Sequence, residues 1–257
     1  VDESGMNQET EIKITCPVHG DYLGKRITLP LDGGIIETKC PQCSVDDKNN
    51  LSKEIERAEW QDKRINATKN FNDFSLPPRF AKKDFDSYSP NCKGSERALT
   101  VCRKYADNFE TRKSSGGGLV LCGNAGTGKT HLVSAIINQI ESSRFTSVFM
   151  SAMGATRHVK ATYSRDHKRS ESEAIYDFNR PDLLVLDEVG VQFGTDAEKL
   201  ILFEIINLRY QHVLPTILIS NLTLDELEVY IGERVIDRMH EGGGAVLSFD
   251  WDSYRRT

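Results

Sequence analysis

The chain has 257 residues, 38% of them hydrophobic and 28% charged, with a formal net charge of −5. This is ordinary globular composition; it excludes a protein that coats nucleic acid by bulk attraction, and no apolar stretch is long enough to span a bilayer. Six cysteines, with no positively charged start leading into an apolar signal core, point to reduced thiols or metal ligands in a cytoplasmic protein. Strong apolar runs begin only at Leu119, so a single core of roughly two hundred residues or less is expected after a leading segment that needs outside help to fold.

In chain order, residues 1–10 are polar and expected to be loose. Residues 16–43 hold two knuckles, Cys16-Pro17-Val18-His19 and Cys40-Pro41-Gln42-Cys43, on either side of a glycine-rich, hairpin-like stretch. Two short-spaced pairs at this separation suit one tetrahedral Cys₃His zinc site formed by Cys16, His19, Cys40 and Cys43. All four positions are filled by protein, so the site reads as structural, and zinc supplies the folding energy this segment lacks. Cys92, Cys102 and Cys122 have no such spacing and read as ordinary thiols. These features set a small ribbon-like zinc module at 1–50, a charged helical linker at 51–75 and the main domain at 76–257. Leu51, Ile55, Ala58 and Ile65 give the linker a thin apolar stripe, interrupted by Asp62. That suits a solvated helix or a partner-docking face. The aromatic and proline cluster at 71–90 reads as a lead-in pinned against the main domain.

The main domain alternates strands at 119–122, 147–150, 183–186, 216–220 and 245–249 with helices such as 130–142 and 198–210. Such alternation predicts an α/β fold, a parallel five-stranded sheet flanked by helices. Between the first strand and first helix lie Gly123, Asn124, Ala125, Gly126, Thr127, Gly128, Lys129 and Thr130, a complete P-loop. The glycines let backbone N–H groups surround phosphate oxygens, and the helix start adds its positive end. Lys129 reaches the outer phosphates of ATP or GTP, and the Thr130 hydroxyl is a magnesium ligand. The strand at 183–186 delivers Asp187 and Glu188 to the carboxyl edge of the sheet, Asp187 for Mg²⁺ and Glu188 to polarise the attacking water. Asn221, after the next strand, is placed to orient that water or touch the γ-phosphate.

This constellation resembles the AAA+ ATPases and, among them, the DnaC-type replicative helicase loaders of bacteria and phages. The resemblance runs from about residue 80 to the end. It rests on the P-loop, the stretch LLVLDEVG at 183–190, the strand leading to Asn221, GERVIDRM at 232–239 and DWDSYR at 250–255. It implies ATP hydrolysis in a ring or spiral, with Arg238 as an arginine finger reaching a neighbour's γ-phosphate and Arg234 as its helper. Few residues follow the last strand, so no helical lid is expected, as in DnaC-like proteins and related transposition helpers. The zinc-bearing segment looks similar to the N-terminal domain with which some loaders dock on the helicase.

A basic strip contains Arg157, His158, Lys160, Tyr163, Arg165, His167, Lys168 and Arg169, with only Asp166 opposing it locally. It suits single-stranded DNA, through phosphate contacts and stacking on Tyr163, and equally suits a solvated helix face with a loop. The expected function is ATP-dependent loading of a hexameric replicative helicase onto single-stranded DNA. The alternatives are a transposition helper ATPase of the same lineage, a small-molecule kinase, or a scaffold that binds ATP without useful turnover.

Overall fold

The computed structural model describes residues 8–29, 34–72, 74–164, 168–190 and 195–254. The chain divides into two compact units, Val1–Glu59 and Trp60–Thr257.

In the first unit, β1 (Gln8–Cys16) and β2 (Gly20–Thr28) form an antiparallel hairpin that pairs Cys16 with Gly20. Its turn is completed by Gly20 at φ 79°, a conformation other residues adopt at a cost. β3 (Ile35–Glu37) pairs with β2. Helix α1 (Pro41–Thr68) opens on a proline, whose missing N–H is harmless in a first turn. Two expectations shift here. β1 takes in residues 8–10, which are polar because this strand is largely solvent-exposed, and α1 begins early enough to carry Cys43 on its first turn. Among the described residues of this unit, the buried hydrophobic side chains are those of Cys16 and Cys40, while Leu23, Ile35, Leu51 and Ile55 are exposed. The Lys25–Glu9 and Arg26–Glu37 ion pairs are solvated and contribute little. The described residues of this unit thus form no apolar core to offset the entropy of ordering the chain.

The second unit contains α2 (Lys93–Asp107), α3 (Phe109–Ser115), β4 (Leu119–Gly123), α4 (Lys129–Ser142), β5 (Ser147–Ser151), α5 (Ala152–Lys160), α6 (Glu171–Asp177), β6 (Leu183–Asp187), α7 (Asp196–Gln211), β7 (Thr216–Ile219), α8 (Leu224–Ile231), α9 (Glu233–His240) and β8 (Ala245–Phe249). The strands form the expected five-stranded parallel sheet, in the order β5-β6-β7-β4-β8. Alternation along each strand splits the core. Val120, Val148, Leu184, Leu186 and Leu218 join one layer with residues of α5 to α9, while Leu121, Val185, Ile217 and Ile219 join another with α2 and α4. Both faces are therefore covered, which explains why these strands read as continuous apolar runs. Capping boxes at Ser170/Glu173, Thr195/Glu198 and Thr223/Glu226 start α6, α7 and α8.

At the amino ends of β6 and β7, Arg209 is fully buried. It donates to Thr216 Oγ1 and to the carbonyls of Phe178, Pro181, Asp182 and Pro215. Asp182 is held there by Lys63, Lys113 and Thr146. This polar anchor fixes the strands whose carboxyl ends build the site.

Candidate functional site

The cleft lies at the carboxyl ends of β4, β6 and β7, where open α/β sheets bind their ligands. It encloses about 850 Å³ and is lined by Gly126, Gly128, Lys129, Thr130, Asp187, Glu188 and Asn221, among others. Residues 123–130 thus meet the acidic pair and the amide, as the sequence motifs require.

Backbone geometry explains the glycines of the loop. Gly123 has φ 112°, and a Cβ there would sit 2.5 Å from the Phe249 carbonyl oxygen. Gly128 has φ 93°, and its Cβ would meet the Tyr88 ring at 2.6 Å. Gly128 also precedes α4 without any side-chain cap, so the first N–H groups of that helix are left for an anion. Lys129 is 5% exposed, and its Nζ donates to the carbonyls of Gly123 and Asn124 at 2.7 Å each. The ammonium is therefore held at the mouth of the loop.

Asp187 ends β6. Its Oδ2 lies 3.4 Å from Thr130 Oγ1, and its Oδ1 accepts a 2.7 Å bond from the Glu188 amide. Burial, aided by the neighbouring Glu188 charge, pushes the Asp187 carboxyl up to about 6. A half-buried carboxylate beside a hydroxyl is the donor chemistry of a hard divalent cation, so Thr130 and Asp187 fit magnesium. Glu188 is exposed toward the cleft at φ 60°, a left-handed conformation that costs a non-glycine residue energy and tends to persist at functional sites. Ser220 fixes the approach of Asn221: its Oγ donates to Val189 O at 2.6 Å and accepts from the Leu222 amide at 3.1 Å.

A profile of the IstB-like ATP binding proteins matches residues 48–257. The replicative helicase loader DnaC of Escherichia coli strain K12 is 32% identical over 197 residues, spanning 77% of this chain and 79% of DnaC. The chain belongs to the IstB-like ATP-binding family. Its fold is also that of the crystal structure of the DnaC helicase loader, with a TM-score of 0.59 at 24% identity over 68% of this chain and all of that one. The crystal structure of DnaI gives 0.57 at 18% identity over 74% and 98%. The second unit of this IstB-like ATP-binding protein has the P-loop AAA+ fold, and no helix among its described residues is long and apolar enough to cross a membrane.

Motif reading missed one wall of the cleft. Arg79, Phe80, Lys83, Tyr88, His131 and Tyr254 line it as well. The lead-in is pinned to α4 by Asn138 Nδ2, which donates to the carbonyls of Ala81 and Lys83, and by His131 Nε2, 3.1 Å from both Ser87 Oγ and Asp84 O. The available signal was the density of aromatic and basic residues just upstream of the P-loop.

Arg238 and Arg234 differ sharply in setting. Arg238 is half-buried on α9, donates to Asn207 Oδ1 at 2.6 Å, and lies 5.6 Å and 5.1 Å from the ring centres of Phe203 and Tyr210. Arg234 is exposed.

The basic strip is less free than its local sequence suggests. Lys160 pairs with Glu198 at 2.7 Å, and the Tyr163 hydroxyl donates to Glu171 at 2.7 Å. Arg169 and His158 both reach the fully buried Asp177, at 2.7 Å and 3.2 Å. Burial alone would raise the Asp177 carboxyl; bonds from Arg169, Asn70 and His158 outweigh it and hold the group below its ordinary value. Arg157 and Lys168 are exposed, and Arg165 and His167 lie outside the described residues.

In the first unit, Cys16, His19, Cys40 and Cys43 bring one ligand atom each within 4.8 Å of one another. His19 Nδ1 stands 3.3–3.9 Å from the three sulfurs, and Cys16 and Cys43 Sγ are 3.5 Å apart. Zinc–sulfur bonds of about 2.3 Å imply tetrahedral S···S edges of roughly 3.8 Å and N···S edges of roughly 3.6 Å, so the set fits zinc. The backbone amides of Val18 and His19 lower the Cys16 thiol to about 6, while Cys16 beside it pushes Cys43 up to about 11. A dication favours both thiolates and removes that conflict. His19 turns its other nitrogen to Asp46, 3.2 Å away, which selects Nδ1 as the metal-facing atom.

Proposed function

We propose that this protein is an ATP-dependent loader of the replicative DNA helicase onto single-stranded DNA. The observation that carries the reading is the 32% identity to E. coli DnaC across 79% of that loader, with every position of the phosphate loop and acidic pair filled.

The nucleotide's phosphates lie in the amides of 123–130, with Lys129 against the outer phosphates. Magnesium, held through Thr130 and Asp187, supplies charge neutralisation on the phosphate oxygens. Glu188 orients water for in-line attack and accepts its proton, and Asn221 holds that water or a γ-phosphate oxygen. Arg238 acts on the ATP of a neighbouring subunit in a ring or spiral, so hydrolysis requires assembly. The zinc module, residues 1–50, docks on the hexameric helicase, with 51–75 as linker to the ATPase domain, 76–257. Single-stranded DNA is gripped at Arg157 and Lys168, with Lys160, Tyr163 and Arg169 adjusting their acidic partners. Hydrolysis releases the loader.

The family profile also suits a transposition helper ATPase that remodels DNA for a transposase. Co-purification with the host's hexameric replicative helicase, with and without ATP, separates the two. Retention of the helicase on the immobilised chain supports the loader; no retention in either condition, with duplex DNA binding intact, supports the helper.

A further inference from the structure

The residues after β8 do not simply trail away. Five hydrogen bonds tie residues 249–254 to the phosphate loop, one of them from Asn124 Nδ2 to Trp251 O at 3.3 Å. Phe249 O accepts from the Asn124 amide at 2.7 Å, and the Tyr254 amide donates to Gly126 O at 3.0 Å. Asn124 Nδ2 donates to Asp250 O at 3.1 Å, and the Trp251 indole Nε1 donates to Thr127 O at 3.2 Å. Trp251 is 9% exposed, its ring 4.6 Å from that of Phe249. A Cβ on Gly94 would approach its Cε3 to 3.0 Å, so α2 closes over the indole. Tyr254 is anchored at its far end, where the hydroxyl meets Asn91 Oδ1 at 3.1 Å.

We infer that residues 250–254 form a strap that orients the phosphate-binding amides, with Trp251 as its main positioning residue. In a trans peptide the carbonyl of one residue and the N–H of the next point in opposite directions. A strap that holds Gly126 O and Thr127 O toward itself therefore turns the N–H groups of Thr127 and Gly128 the other way. These two amides belong to the loop that surrounds the phosphates. Glycine-containing loops lose much entropy when a ligand orders them. Donors that fix the carbonyls beforehand remove part of that loss from the binding step. The Tyr88 hydroxyl, 3.4 Å from Thr127 O, adds a longer contact to the same carbonyl. The role rests on reading residues 123–130 as the phosphate loop. It assigns a purpose to residues 250–254, which follow the last strand of the sheet.

Trp251→Phe keeps a ring against Phe249 and deletes the donor to Thr127. ADP binding, measured by calorimetry on the full chain, weakens about three- to tenfold, the worth of one hydrogen bond. Backbone order parameters of the Thr127 and Gly128 amides fall from about 0.85 toward 0.6. A role confined to packing would lower the thermal midpoint and leave those amides rigid. Tyr254→Phe frees the strap from Asn91 and gives a smaller change in the same direction; it decides the question if Trp251→Phe does not fold. Wild-type ADP affinity and rigid loop amides in the folded variants would overturn the strap. Absence of ADP binding by the wild-type chain would instead refute the phosphate loop, and the strap's role with it.

Discussion

Replacing Arg238 by alanine separates a finger from a structural arginine, because the two roles differ in size. Within its own chain Arg238 donates a 2.6 Å bond to Asn207 and lies near the faces of Phe203 and Tyr210. For a half-buried group these contacts are worth about 1–3 kcal/mol of stability together. At this chain length each kcal/mol lowers the midpoint by roughly 2–4 °C, so the variant stays folded in an assay at room temperature. A finger acting in trans is worth about 10³-fold or more in hydrolysis, roughly 4 kcal/mol of barrier. Arg238→Ala should then bind ATP nearly as tightly as wild type and turn it over about a thousandfold more slowly. Mixed one to one with Glu188→Gln, it should regain activity, because an interface can unite an intact Glu188 with an intact Arg238. Random assembly gives that pairing at about a quarter of interfaces, so about a quarter of wild-type turnover is expected. Phosphate release from the two variants, alone and mixed, over a range of protein concentrations, is the assay. No recovery on mixing, with specific activity independent of concentration, would return Arg238 to its place against α7.

Lys129→Ala should abolish nucleotide binding, and Glu188→Gln should keep it while losing turnover; fluorescent-nucleotide titration and phosphate release read the two effects separately. The full chain, purified without chelator, should carry one zinc ion, and chelation should melt the hairpin of the first unit while ATP binding by the second persists, as followed by circular dichroism and nucleotide titration. Asp46→Ala should weaken zinc by about 10- to 100-fold in a chelator competition, since it removes the group that orients His19. Arg157→Ala with Lys168→Ala should lower the slope of log affinity for single-stranded DNA against log salt by roughly 1–2 if both contact phosphates; an unchanged slope removes them from the DNA path.

The five strands were legible because a sheet covered on both faces demands unbroken apolar runs, and 119–122, 183–186 and 216–219 supply them. The P-loop and the acidic pair were legible because their chemistry needs fixed residue types at fixed spacing. Helix α5 was harder to see. Of its buried residues Ala152, Ala155, Thr156 and Val159, only Val159 is a sizeable apolar side chain, and the helix contains a glycine, so its apolar stripe is weak in the sequence. The opening of α1 was hidden because the stretch Cys40-Pro41-Gln42-Cys43, which reads as a candidate metal knuckle, also opens the first helical turn. Long-range partners were beyond reach. Local sequence sets only Asp166 against the basic strip, whereas the fold brings in Asp177, Glu198 and Glu171 from other elements. The wall of the cleft built from Arg79, Phe80 and Tyr88 is likewise tertiary, since it exists only once α4 has captured the lead-in through Asn138 and His131.

The central claim is that ATP binding by this chain places a replicative helicase on DNA. The direct measurement is transfer of the host's hexameric helicase to a closed circular single strand, scored by strand displacement. Wild-type chain with ATP should produce displacement, and Lys129→Ala, or wild type without nucleotide, should not. Equal displacement by all three, or by the helicase alone, would contradict the account.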